Sequence, residues 1–188
     1  MYRHANDARE EPTPFVDELL TPRLTLSPLR ATDTEALHEL WTAPGVRRFL
    51  WDDEVIPPEQ TADVVRRSEV LFSERGFGLW GARLQDSRAG YERAKLAGFA
   101  GYWYFRDPPE LELLYGVAEP LWGRGLATEL AGAMLDYGWT SLGFDDVQAS
   151  TDGANTASVR VLEKLGFTMT RQAVVDGLDT IFFHVARR

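Results

Sequence analysis

One stretch of the chain, Glu112-Leu-Leu-Tyr-Gly-Val-Ala-Glu-Pro-Leu-Trp-Gly-Arg-Gly-Leu-Ala-Thr128, restricts the possible folds more than any other. It reads as a strand, a proline stop, a glycine-rich turn and the start of a helix. Gly123 and Gly125 flank Arg124 where that helix is expected to begin. The first turn of a helix carries N–H groups with no partner inside the helix. The helix dipole adds partial positive charge at the same end. Glycines remove the Cβ atoms that would hold a phosphate at a distance. The segment is therefore expected to cradle an anion, such as a pyrophosphate.

Composition narrows what can surround this cradle. A chain of 188 residues with 44% hydrophobic residues, ten Phe and six Trp can bury a sizeable core in one domain. The net charge of −9 disfavours broad nucleic-acid binding, which depends on neutralising phosphates. It suits a cationic acceptor such as an amine, although solubility alone also accounts for it. The absence of Cys excludes disulfides, thiol nucleophiles and thiolate-held metals. His4, His38 and His184 have no metal-ligand spacing, so no metal is expected. No run of about 18 apolar residues predicts a membrane span. The N-terminus lacks the apolar segment of a signal peptide, and a cytoplasmic location is expected.

Residues 1–18 read as a flexible N-terminal arm and 19–188 as a single domain. Leu24, Leu26 and Leu29 mark a first strand. Asp33 stands as a cap for a helix bearing Leu37, Leu40 and Trp41, which Ala43-Pro44-Gly45 is expected to stop. A second helix is predicted over 59–74. Strands over 77–84, 96–105 and 111–117 would form a meander, with a polar loop over 86–95 and a turn at Asp107-Pro108-Pro109. The longest helix is predicted over 124–140. A strand over 144–150, a helix over 155–165 ended by Gly166 and a closing hairpin over 167–185 complete the chain. The fold class is α/β (α+β), a mixed sheet of six to seven strands with about four helices. The Gly-x-Gly of 123–125 does not continue as a dinucleotide fingerprint, because position 128 is Thr and the motif follows a late strand.

Three segments together resemble the GCN5-related N-acetyltransferases (GNAT), and within them the RimJ/RimL-like ribosomal-protein N-acetyltransferase branch. They are Thr21-Pro-Arg-Leu-Thr-Leu26, the strand and turn from Glu112 to Glu129, and Asn155-Thr-Ala-Ser-Val-Arg-Val-Leu-Glu-Lys-Leu-Gly-Phe167. The resemblance implies a splayed central sheet that holds acetyl-CoA where two parallel strands part. Backbone groups of Tyr115, Gly116 and Val117 would then pair with the pantetheine arm like an added strand. Those of Trp122, Gly123, Arg124, Gly125, Leu126, Ala127 and Thr128 would hold the pyrophosphate. By the same analogy Asn155 would bond the pantetheine and Ser158 would sit near the sulfur. The chain departs from the family in three ways. Trp122 stands where the wider superfamily often has Gln or Arg, although Trp is usual in this branch, and Leu114 replaces a Gly common in the branch. No Tyr follows Tyr137, so Ser158 or a water is left as the proton donor for the thiolate.

Acetyl transfer to nitrogen needs a neutral amine. An α-amine with a pKa near ~8 is about one-tenth neutral at pH 7, while a lysine amine is below about one part in a thousand. Glu112 is the candidate general base, either directly or through a water, because a carboxylate in an apolar strand is costly unless it is paired or useful. Desolvation there would raise its pKa toward a working value. An ordinary edge-strand Glu, facing water or paired with an Arg, is the competing reading. Ser158 has a solvated-serine reading and Asn155 a simple N-cap reading. Trp122 is expected to pack beneath the loop. Trp51-Asp-Asp-Glu54 could draw in a cation or could be only a solvated loop. Trp41, Phe49, Trp80 and Trp103 are either pocket wall or core. The expected function is acetyl transfer to a primary amine, on a protein N-terminus or a small molecule, in a ternary complex. A non-catalytic acyl-CoA-binding module is the alternative, and monomer and homodimer are both open.

Overall fold

The predicted meander forms the middle of one eight-stranded sheet in the computed structural model, which describes residues 16–86, 91, 95–105 and 110–187. The chain runs through β1 (Leu19–Leu20), β2 (Leu24–Pro28), α1 (Thr34–Thr42), α2 (Pro44–Leu50) and α3 (Pro58–Arg75). It continues as β3 (Leu79–Leu84), β4 (Gly98–Phe105), β5 (Glu110–Val117), α4 (Leu126–Thr140) and β6 (Asp146–Asp152). It ends with α5 (Thr156–Lys164), β7 (Thr168–Val175) and β8 (Leu178–Ala186). The strand order is β1-β2-β3-β4-β5-β6-β8-β7. Most of the proposed N-terminal arm, part of the 86–95 loop and all of the Asp107-Pro109 turn lie outside the described residues.

Among the described residues the element count exceeds the expectation by one strand and one helix. The added strand is β1, which pairs antiparallel with β2 through Leu19↔Leu26 and Leu20↔Thr25. The added helix is α2. Pro44 ends α1 but also opens α2, at a position where a missing N–H costs nothing. The longest helix is α3, with 18 residues, ended by Gly76 at φ 76°. α4 has 15 residues and starts at Leu126, because Gly123 and Gly125 both take positive φ and stay in the turn. Asp33 does not cap α1 with its side chain. Its two oxygens instead accept from the Arg30 N–H at 2.9 Å and the Arg83 guanidinium at 2.5 Å.

The two faces of the sheet have different coverings. Tyr102 and Trp80 point to the α4 side, where the Tyr102 hydroxyl donates to the Met134 carbonyl at 2.8 Å and Trp80 meets Tyr137 edge-on. Burial pushes the Tyr102 phenol well above its usual range. Residues of opposite parity, such as Phe99 and Trp103, face α1 and α3. Trp41 of α1 packs edge-on against Phe99 with centroids 5.5 Å apart, and the Arg67 guanidinium of α3 lies over Trp103. Trp41 and Trp80 are core residues, with 1% and 0% exposure.

Among the described residues only β5 and β6 run parallel, in register at a single pair, Glu112↔Gln148. Beyond it β6 stays with β8 as far as Asp152↔Thr180, while β5 stays with β4 as far as Val117↔Gly98. The two strands therefore part after Glu112. The sheet edge also reaches back to this opening. Thr21 Oγ1 and the Arg23 N–H donate to Glu129 Oε1 at 2.6 and 2.8 Å, and Arg23 Nε donates to Glu129 Oε2 at 2.6 Å.

Two glycines test the packing in opposite directions. A Cβ on Gly101 would collide with the Gly78 carbonyl oxygen, a backbone atom that cannot rotate away. Gly101→Ala is expected to cost about 2–3 kcal/mol in urea unfolding. A Cβ on Gly132 in α4 would meet only Leu165 Cδ2 at 3.5 Å. Gly132→Ala is expected to stabilise by about 0.5–1 kcal/mol in the same measurement.

Candidate active site at the parting strands

The chain leaves β5 through a 3-10 turn, Glu119–Leu121, with Pro120 inside it. Gly123 at φ 73° and Gly125 at φ 76° then turn it into α4. The first helical hydrogen bond runs from the Glu129 N–H to the Gly125 carbonyl at 3.2 Å. The N–H groups of Leu126, Ala127 and Thr128 in the first turn thus stay outside the helical ladder. Nothing lies within 4 Å of the place where a Cβ on Gly123 would stand. The loop therefore has both the donors and the open approach that a pyrophosphate needs. Trp122 does not match its expected place. Its N–H is used by the Glu119 carbonyl at 3.1 Å, and its side chain is 52% exposed instead of packed under the loop. Its indole N–H donates to the Val117 carbonyl at 2.6 Å, which ties the loop to the end of β5.

Backbone direction decides which groups of β5 face the gap. The Ala118 N–H bonds the Ala97 carbonyl at 2.9 Å, on the β4 side. By antiparallel alternation the backbone groups of Gly116 also face β4, while those of Tyr115 and Val117 face the gap. Tyr115 and the Val117 N–H thus face the space between the strands, where the Val117 carbonyl already accepts from the Trp122 indole. Gly116 contributes its missing side chain, since Phe99 Cε1 fills the space a Cβ would take.

On the far side of the gap, Asn155 caps α5. Its Oδ1 accepts from the Ser158 N–H at 3.1 Å, which leaves the Nδ2 end of the amide for a ligand. The capping and binding readings of Asn155 are therefore compatible. Ser158 meets a partner that its sequence position does not suggest. The Tyr115 hydroxyl lies 2.8 Å from Ser158 Oγ and 3.2 Å from the Ser158 carbonyl oxygen. Burial pushes the Tyr115 phenol up to about 12 against the opposing Ser158 hydrogen bond, so it stays neutral near pH 7.

Glu112 is 2% exposed, so the solvated edge-strand reading does not hold. The Ser150 hydroxyl donates to its Oε2 at 2.6 Å across the β5–β6 junction. Strand parity places Ser150 and Asp152 on the face that carries Glu112. The Asp152 carboxyl is raised by burial first, then by the charges of Asp52 and Asp179. Asp52 belongs to the 51–54 run and sits with Asp53 at positive φ just after α2. Asp53 is paired with Arg47 at 2.9 Å. The acidic run is therefore divided: Asp53 stabilises its own loop, while the charge of Asp52 is felt at the end of β6.

Sequence reasoning missed three participants. Ser150, the Tyr115 side chain and Arg23 lie 38, 43 and 106 residues from Glu112, Ser158 and Glu129, the partners they touch. Ser150 had only strand alternation as a signal. Arg23 stood inside the Thr21–Leu26 segment without a local reason for its charge. Among the described residues no group of His, Asp and Glu is arranged to hold a metal ion, and no helix is long and apolar enough to cross a membrane.

Comparison with known proteins agrees with this geometry. Residues 23–168 match the family described as acetyltransferase (GNAT) domain. The chain is 37% identical over 154 residues to the uncharacterized Bacillus subtilis protein YkkB, covering 79% of this chain and 84% of the relative. It is 24% identical over 144 residues to the spermidine N(1)-acetyltransferase of Escherichia coli, covering 77% and 72%. Its fold superposes with a TM-score of 0.70 on RimL, a ribosomal L7/L12 alpha-N-protein acetyltransferase solved in complex with coenzyme A. That pair is 17% identical, and the match covers 94% of this chain and 98% of RimL. With strands that part beside an anion cradle, and with that cradle inside the matched residues, the chain belongs to the GNAT acetyltransferase domain family.

Proposed function

We propose that this protein is an acetyl-CoA-dependent N-acetyltransferase that moves an acetyl group directly to a primary amine in a ternary complex. The observation that carries this reading is the buried Glu112 carboxylate, held by Ser150 where β5 and β6 part. A binding module needs the cradle but has no use for a carboxylate buried at the opening. Acetyl-CoA would bring the acetyl group as a thioester. Its pyrophosphate would be held by N–H groups from Gly123 to Thr128, and its pantetheine by Tyr115, Val117 and Asn155.

Glu112 takes the proton from the attacking amine, directly or through a water, and Ser150 fixes the carboxylate for that transfer. Ser158 faces the departing sulfur. When the Tyr115 hydroxyl donates to Ser158 Oγ, the serine proton is free to point at that sulfur. The phenol remains neutral and available at working pH. With no Cys in the chain, no cysteine acyl-enzyme is involved. Holding amine and thioester in register then supplies much of the rate.

The acceptor approaches from the Glu112 face. Asp52, Asp152 and Asp179 make that approach acidic, which favours a cationic amine. The spermidine acetyltransferase relative supports a polyamine, and the likeness in fold to RimL supports a protein N-terminus. The Thr21–Leu26 segment and Trp122 favour the RimJ/RimL-like branch.

The first test mixes the protein with acetyl-CoA and a panel of amines and follows free thiol; no release with any amine would sink the enzyme reading. Glu112→Gln is expected to lower kcat by about 100-fold or more while the Kd for coenzyme A stays unchanged. The acidic limb of the pH–rate profile should disappear with it. Tyr115→Phe is expected to lower kcat by about tenfold with little change in KM. Because the phenol is neutral on both sides of pH 7, that loss should be the same from about pH 6 to pH 9, measured by thiol release.

A further inference from the structure

We infer that Arg23, in the bend just before β2 and 101 residues before Arg124, is a positioning residue for the pyrophosphate cradle. The inference rests on the cofactor reading and adds a residue from outside the loop. Arg23 Nε donates to Glu129 Oε2 at 2.6 Å, and Arg23 Nη1 donates to the Arg124 carbonyl at 2.7 Å. One guanidinium therefore bridges the first turn of α4 and the middle of the glycine loop.

The bridge acts in two ways. A trans peptide points its C=O and N–H in opposite directions. Fixing the Arg124 carbonyl on Arg23 turns the Gly125 N–H away from Arg23, toward the open side of the loop. Gly125 at φ 76° has no side chain to resist other orientations, so an external anchor is needed to select this one. The second effect is electrostatic. Glu129 puts a negative charge in the first turn of the helix that should receive an anion. Burial alone would push the Glu129 carboxyl up, but the Thr21 hydroxyl and the Arg23 side chain and N–H outweigh this and hold it below the usual glutamate range. The carboxylate stays ionised and bound to Arg23 and Thr21, so it does not compete for the loop N–H groups.

A lysine could not do the same work. Arg presents fixed, diverging N–H donors, whereas an ammonium is a point charge. The Arg23 side chain is 48% exposed in this ion pair, so shortening it leaves no core cavity.

The test is calorimetric titration of coenzyme A and of pantetheine, which lacks the pyrophosphate, into wild type, Arg23→Ala, Arg23→Met and Arg23→Lys. Folding of each variant is checked by its thermal transition. Arg23→Ala and Arg23→Met are expected to raise the Kd for coenzyme A by about tenfold and leave the Kd for pantetheine within about twofold of wild type. Arg23→Lys should recover less than half of the loss on a logarithmic scale. Unchanged coenzyme A binding in a folded Arg23→Ala or Arg23→Met variant would overturn the inference, as would an equal loss for both ligands. Full recovery by Arg23→Lys would overturn the bridging geometry. If wild type itself binds no coenzyme A, the cofactor reading fails first and takes this inference with it.

Discussion

The parting of β5 and β6 is the constraint on which the rest of the site depends. The two strands share one registered pair, Glu112↔Gln148. Had the pairing continued, the outward backbone groups of Tyr115 and Val117 would be occupied by β6. Because it stops, those groups face a gap whose other wall is α5. The same junction places Glu112 at the registered pair, where the sheet buries its side chain. A buried carboxylate is expensive in an apolar strand, and the Ser150 hydroxyl offsets part of that cost.

Around this gap the chain uses polar contacts, some local and some long-range, where apolar packing would not be specific enough. The Trp122 indole ties the loop to Val117, Asn155 orders the first turn of α5, and Tyr115 reaches across to Ser158. Arg23 and Thr21 bring the edge of the sheet to the start of α4. The apolar core beneath, built from residues such as Trp80, Phe99, Leu130 and Met134, supplies the rigidity.

Much of this was legible in the sequence because it depends on local chemistry. The meander, the glycine turn, the N-cap Asn155 and the closing hairpin follow from alternation, capping and positive-φ preferences that act within a few residues. The misreadings were local too, at places where one residue serves two purposes. Pro44 ends one helix and opens the next. Asp33 occupies the N-cap position but gives its side chain to Arg30 and Arg83. Trp122 looks like packing, yet its ring is half-exposed and its indole N–H braces the β5 carbonyl.

The sequence by itself determined that a strand must pass through a glycine turn into a helix, and that Glu112 stands on that strand and Asn155 and Ser158 at the start of another helix. These follow from backbone preferences and hydrogen-bonding groups close together in the chain. Only the tertiary structure decided that Glu112 is buried and bonded to Ser150, that Tyr115 meets Ser158, and that Arg23 bonds Glu129 and the Arg124 carbonyl. Those contacts join residues 38 to 106 positions apart, and strand register and crossover brought them together. No local preference of the chain encodes a distance of that kind.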